Sequence, residues 1–119
     1  MVVVIFESQP HPERKDAYLE AGARLGPLVQ GFEGFVEIER YESLTTPGKL
    51  LALSTFRDEE AVNKWRNLEI HRRIQDSSRK SIFADYRLRV ATVMRDYSKS
   101  DRTDAPEDSR QALGAEPTS

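Results

Sequence analysis

A chain of 119 residues, 38% hydrophobic and 32% charged, carries apolar material for one small domain and not for two. The absence of cysteine excludes disulfides, thiolate zinc sites, iron–sulfur clusters and cysteine nucleophiles, and it fits a reducing, cytoplasmic setting. A formal charge of −2 gives no electrostatic reason to expect nucleic acid as a partner.

The opening apolar run Val2–Phe6 lacks a basic flank and a small-residue cleavage site, so it reads as a buried strand and not as a signal peptide. No segment is long and apolar enough to span a membrane as a helix. Val2–Glu7 predicts a central strand covered on both faces, ended by Ser8-Gln9-Pro10-His11-Pro12. Pro12 suits a first helical position, and Tyr18, Ala21, Leu25, Leu28 and Val29 keep helical spacing. Gly22 and Gly26-Pro27 predict that this helix frays between Leu25 and Val29. The turn Gly31–Gly34 leads into a second strand, Phe35–Tyr41. Strict alternation there places Val36, Ile38 and Arg40 on one face and Phe35, Glu37, Glu39 and Tyr41 on the other.

Thr45-Thr46-Pro47-Gly48 is a turn signal, and Leu50–Phe56 is the third strand, completing a hairpin. Asp58 is placed to cap a second helix, with Glu59 and Glu60 in its first turn and Ala61, Val62 and Trp65 as its apolar stripe. A further helical piece from about Leu68 to Arg79 buries Ile70 and Ile74, and Ile82–Tyr97 is a long closing strand. The order βαββαβ predicts an α+β, ferredoxin-like fold: a four-stranded antiparallel sheet with both helices on one face. Phe6, Leu51, Leu53, Leu88, Val90 and Val93 are more apolar side chains than two helices cover. The expectation is a homodimer formed face to face through the sheet, burying apolar area at about 25 cal/mol per Å². Residues 1–97 form this domain. Residues 98–119, rich in Ser, Asp, Pro and Ala, are read as a flexible tail or an arm along the partner.

Three segments, GFEGFVEIERY, LLALSTFRDEEAVNKWRNLEIHRRIQ and IFADYRLRVATVMRDY, resemble the antibiotic biosynthesis monooxygenase (ABM) family of dimeric α/β barrels. The resemblance runs over residues 1–97 and includes the Trp65-x5-His71 spacing after an acidic helix start. It implies a family of cofactor-independent oxygenases of polycyclic phenols, haem-degrading enzymes, a signalling-molecule isomerase, and members with no known activity. Fold carries over from such a resemblance better than function does.

His71, one of two histidines, is the candidate base, because its side chain titrates near neutrality and suits removal of a phenolic proton. A surface or hydrogen-bonded structural histidine is the competing reading. Trp65 and His71 are six residues apart, about 240° around an unbroken helix, so their convergence requires a break near Arg66-Asn67-Leu68. Trp65 is then an aromatic wall for a planar ligand, or otherwise plain core. Tyr41 is assigned as a second wall and Arg87 as an anion partner. Glu37, Glu39 and Tyr41 on strand two and Asp85, Arg87 and Arg89 on strand four either meet inside the barrel or across a dimer interface, or stand as solvated strand edges. Tyr86, opposite Arg87, is expected in the core under the helices.

No Gly-x-Gly-x-x-Gly or phosphate-binding loop appears, and His11 and His71 lack metal-ligand spacing, so no cofactor and no metal are expected. The favoured reading is a cofactor-independent monooxygenase that oxidises an aromatic, phenolic or quinol-type small molecule with O2. The alternative is a non-catalytic small-molecule-binding or regulatory dimer, which needs the same pocket. For haem degradation, the resemblance implies an Asn near the end of strand one and a His one turn beyond His71, where this chain has Glu7 or Ser8 and Gln75. An RNA-binding module is disfavoured because GFEGFVEI falls on strand two and Glu33 interrupts it.

Overall fold

The computed structural model describes residues 1–75 and 83–113, leaving aside the side chains of 69–75, 83, 113 and several residues between 21 and 30. The chain runs β1 (Val2–Pro10), a 3-10 turn (Pro12–Arg14), α1 (Lys15–Gln30), β2 (Phe35–Glu42), β3 (Leu50–Phe56), α2 (Glu59–Gln75), β4 (Phe83–Thr92) and α3 (Glu107–Leu113). The four strands form one sheet in the order β2-β3-β1-β4. Each neighbouring pair is antiparallel. This is the ferredoxin-like arrangement expected from the sequence.

The core lies between β1, β3 and α2. Val2, Phe56, Ala61 and Val62 are buried together, with Val4, Phe35 and Trp65 packed against them. A smaller cluster joins Tyr18 of α1 to Leu50, Phe6 and Ala17. α2 starts where Asp58 accepts the Ala61 N–H at 2.9 Å, and Arg57 Nε clamps the second carboxylate oxygen at 3.1 Å. The Ala61 hydrogen bond first, and Arg57 next, hold the Asp58 carboxyl below its ordinary range. Just before β2, Gly34 adopts φ +88°, and a Cβ there would come within 2.5 Å of Ala61 Cβ. Its carbonyl accepts the Arg57 N–H at 2.6 Å, which ties the start of β2 to the start of α2.

Four details differ from the sequence expectations. α1 continues through Pro27 to Gln30 instead of fraying from Leu25. Proline removes one donor near the helix end, and Phe32, whose ring edge meets Trp65 at 5.8 Å, anchors the chain just beyond. β2 carries a register shift between Phe35 and Glu37, so Phe35 pairs with Phe56 and joins the helix side, leaving Val36 as the bulged, exposed residue. α2 shows no break at 66–68; it is helical from Glu59 to Gln75. Finally, β4 ends at Thr92 and not at Tyr97. Val93 N–H donates to the Met1 carbonyl, and beyond that bond β1 offers no further partner. The expected positions of Ile82 and Arg79, and the burial of Ile70 and Ile74, lie outside the described residues and side chains.

Beyond β4 the chain takes local structure of its own. Asp104 accepts the Asp96 N–H at 2.7 Å, Ser98 accepts the Asp101 N–H at 2.9 Å, and Arg102 stacks over the Tyr97 ring. Short-range polar bonds of this kind order a segment that has little apolar surface to bury.

Candidate functional site

Cross-strand register sorts the strand residues onto two faces, because directly paired residues point the same way. The helix side carries Val2, Val4, Phe6 and Ser8 of β1, with Phe56, Ser54, Ala52 and Leu50 opposite them on β3. The same β1 residues pair with Thr92, Val90, Leu88 and Tyr86 of β4. The opposite, open face has Val3, Ile5 and Glu7 at its centre, Leu53 and Leu51 beside them, Glu39 and Tyr41 on the β2 edge, and Arg89 and Arg87 on the β4 edge.

Two features of this layout concern chemistry. On the open face, Glu7 accepts Lys49 Nζ at 3.3 Å and Arg89 Nη1 at 3.2 Å. The Lys49 hydrogen bond, reinforced by the charges of Lys49 and Arg89 and opposed by desolvation, holds the Glu7 carboxyl below its ordinary range. Glu7, Tyr41, Ser43, Thr46, Lys49 and Leu51 border an open pocket of about 300 Å³ at the hairpin end of the sheet. Tyr41 donates its hydroxyl to Glu39 at 2.9 Å, and that bond, with the nearby acidic charge, raises the phenol pKa. An ionised Glu7 and a protonated Tyr41 are both poor bases at neutral pH.

On the helix side, β4 is not closed over as β1 and β3 are. Tyr86, Leu88 and Val90 remain 59%, 47% and 52% exposed, with the Phe6 ring centroid 5.8 Å from that of Tyr86. Tyr86 is therefore a wall of an open apolar strip and not the buried core residue expected from its alternation with Arg87. α2 packs over β1 and β3, which it contacts through Ala61, Val62 and Trp65, and the edge strand lies past that stripe.

The four residues singled out from sequence do not form one constellation within the chain. Trp65 is on the helix side, half-buried, edge-on to Phe32. Tyr41 and Arg87 are on the other side of the sheet and on opposite edge strands, three strand spacings or about 14 Å apart. His71 belongs to the helical backbone of α2, with a side chain outside the described ones. Because α2 is unbroken, positions 65 and 71 diverge by about 240° around its axis. Sequence reasoning missed Glu7 and Lys49. The available signal was a carboxylate of the same parity as Val3 and Ile5 in a strand otherwise apolar, a position that calls for a cation. Among the described residues no group of His, Asp or Glu is arranged to hold a metal ion, and no described helix is long and apolar enough to cross a membrane.

A four-stranded antiparallel sheet in the order β2-β3-β1-β4, with α1 and α2 packed on one face, defines a ferredoxin-like α+β protein. Residues 1–77 match the family described as antibiotic biosynthesis monooxygenase, and the chain belongs to that family. A relative from Pyricularia oryzae, jasmonate monooxygenase ABM, is 41% identical over 93 residues. That match covers 78% of this chain but only 43% of the relative, so the chain spans less than half of the relative's length. Among solved structures, one from Deinococcus radiodurans superposes with a TM-score of 0.70 at 13% identity, covering 82% of this chain and 97% of the other. SnoaB, a cofactor-independent oxygenase from Streptomyces nogalater, superposes with a TM-score of 0.64 at 14% identity, covering 80% and 94%. At these identities the structural likenesses establish the fold.

Proposed function

We propose that the chain is a cofactor-independent monooxygenase subunit that binds a small, largely apolar molecule on the helix side of β4 and works as a homodimer. The observation that carries this reading is the exposed strip Tyr86, Leu88 and Val90, an apolar and partly aromatic wall on the side of the sheet where α2 carries position 71. His71 is assigned as the base. Trp65, held by Phe32 and the core cluster, braces the helix and does not line the ligand.

The preferred substrate is a phenol or quinol with an activated CH2 group. Loss of a proton gives a delocalised carbanion that reacts with O2; the resulting hydroperoxide loses water and leaves a carbonyl. The balance is CH2 + O2 → C=O + H2O, so the substrate supplies every electron. The Pyricularia relative supports a second substrate, jasmonate, a cyclopentanone carboxylic acid. Hydroxylating a saturated C–H bond follows RH + O2 + 2e⁻ + 2H⁺ → ROH + H2O, and so needs an external reductant.

Oxygen uptake by metal-free protein with anthrones, hydroquinones and jasmonate, each with and without NADH, tests the assignment. Uptake with a phenol and no reductant, lost in His71→Ala, supports it. Uptake confined to jasmonate plus reductant overturns the phenol reading, and binding without any uptake moves the chain to a regulatory or carrier role.

A further inference from the structure

Two buried polar groups at the end of β1 are left without a partner among the described residues. Ser8 is 1% exposed, and its Oγ is buried with no hydrogen bond. Arg14, in the 3-10 turn that follows β1, buries its Nε in the same unpartnered way, and no described carboxylate pairs with its guanidinium. Ser54, another buried hydroxyl on the helix side, does find an acceptor, the Val4 carbonyl at 3.5 Å. A buried donor is rarely left unpaired, because the chain then gives up a hydrogen bond to water without return.

The fold brings the two groups to one corner. Ser8 stands in a row across the sheet with Glu42, Leu50 and Tyr86, and Tyr18 of α1 is buried with Leu50, beside Phe6. Pro12–Arg14 runs into α1 through Lys15 at φ −58° and ψ −43°, so Arg14 lies one turn before Tyr18 on the side of the helix that faces the sheet. Glu42, the carboxylate of this row, is engaged by Lys15 at 3.7 Å. On the other side of Ser8, Tyr86 begins the exposed apolar strip, which runs through Leu88 to Val90 over about 13 Å.

We propose that this corner is the anion pole of the ligand site: a carboxylate at one end of an aromatic ligand accepts from the Ser8 hydroxyl and the Arg14 guanidinium, while the apolar body lies along Leu88 and Val90. The inference rests on the helix-side strip assigned above and adds the class of substrate it takes, an aromatic acid. A guanidinium offers parallel N–H groups that match the two oxygens of a carboxylate, and the N-terminal end of the helix that carries Arg14 adds a partial positive charge. Tyr86 is 59% exposed, and rotation of so exposed a side chain opens the way to the Ser8 Oγ.

Equilibrium dialysis with anthraquinone-2-carboxylate and its methyl ester tests the pole, since the two probes share an aromatic body and differ in charge. The wild type should bind the acid about tenfold more tightly than the ester, with a preference that shrinks at high salt. Arg14→Met should remove that preference and leave ester binding unchanged, Ser8→Ala should weaken the acid alone by a smaller factor, and Leu88→Asp, on the strip, should abolish binding of the ester. Circular dichroism checks folding, and Arg14→Gln replaces Arg14→Met if the latter is disturbed. Equal affinity for the two probes, or a preference for the acid that survives loss of Arg14, overturns the pole and leaves the strip. Failure of both probes to bind, or ester binding that persists in Leu88→Asp, overturns the strip reading itself.

Discussion

On the helix side of the sheet, Val2 and Phe56 are buried against Ala61 and Val62 with Val4 and Trp65 packed on them, whereas on the open side Val3, Ile5, Leu51 and Leu53 are only partly buried. The strands are the same and their apolar content is similar, so alternation alone does not distinguish the faces. The difference lies in what surrounds the apolar residues. On one side a capped helix arrives immediately after β3 and fills the space. On the other, charged residues stand at both edges and Glu7, paired with Lys49 and Arg89, lies among the apolar residues at the centre. The helix side is itself incomplete over β4, and that gap, not the open face, is where the proposed ligand wall lies.

Substitutions matched across the two faces sharpen this contrast. Phe56 is 0% exposed, so Phe56→Ala should cost about 3–5 kcal/mol in a urea melt. Leu53→Ala, on the open side, should cost less than half as much in the isolated chain while raising the dimer dissociation constant. Equal losses for the two would erase the distinction between the faces. Gly34→Ala comes next. It imposes a left-handed residue with a side chain and a clash with Ala61, and should cost at least about 1–2 kcal/mol by thermal unfolding, whereas Gly48, at φ +79° but with open space around it, should tolerate alanine better.

The smallest effect concerns Glu7. Its carboxyl titrates lower in the folded chain than in the unfolded one, so its contribution is fully present above the unfolded carboxylate pKa and is lost as pH falls through the folded value. Glu7→Gln should therefore flatten the acid limb of the melting curve below about pH 4.3 and leave the slope near neutrality unchanged. A variant with the wild-type acid limb would show that Lys49 and Arg89 do not hold Glu7 in solution.

Much of the fold was legible because local and global signals agreed. Leu50–Phe56 matched its strand residue for residue, and Asp58 caps α2 as its position before Glu59 and Glu60 suggested. The bulge at Val36 was not legible, since strict alternation is the default and only the pairing of Phe35 with Phe56 reveals the extra residue. Convergence of Trp65 and His71 would need a break near Asn67; α2 is helical throughout Glu59–Gln75 instead, and the two positions do not converge on its surface. Tyr41, Arg87 and Trp65 each have a side chain suited to a ligand, yet the first two lie on the opposite side of the sheet from the third. Which side of a sheet a residue takes depends on strand parity relative to the helices, and that relation is set by tertiary packing.

The central functional claim is that the substrate alone reduces O2, with His71 as base. The most direct measurement is mass spectrometry of the product after turnover of an anthrone under ¹⁸O2 by metal-free protein with no reductant. One labelled oxygen per product for the wild type, and none for His71→Ala, is the expected result. Label that appears only when a reductant is added, or that survives unchanged in His71→Ala, would contradict it.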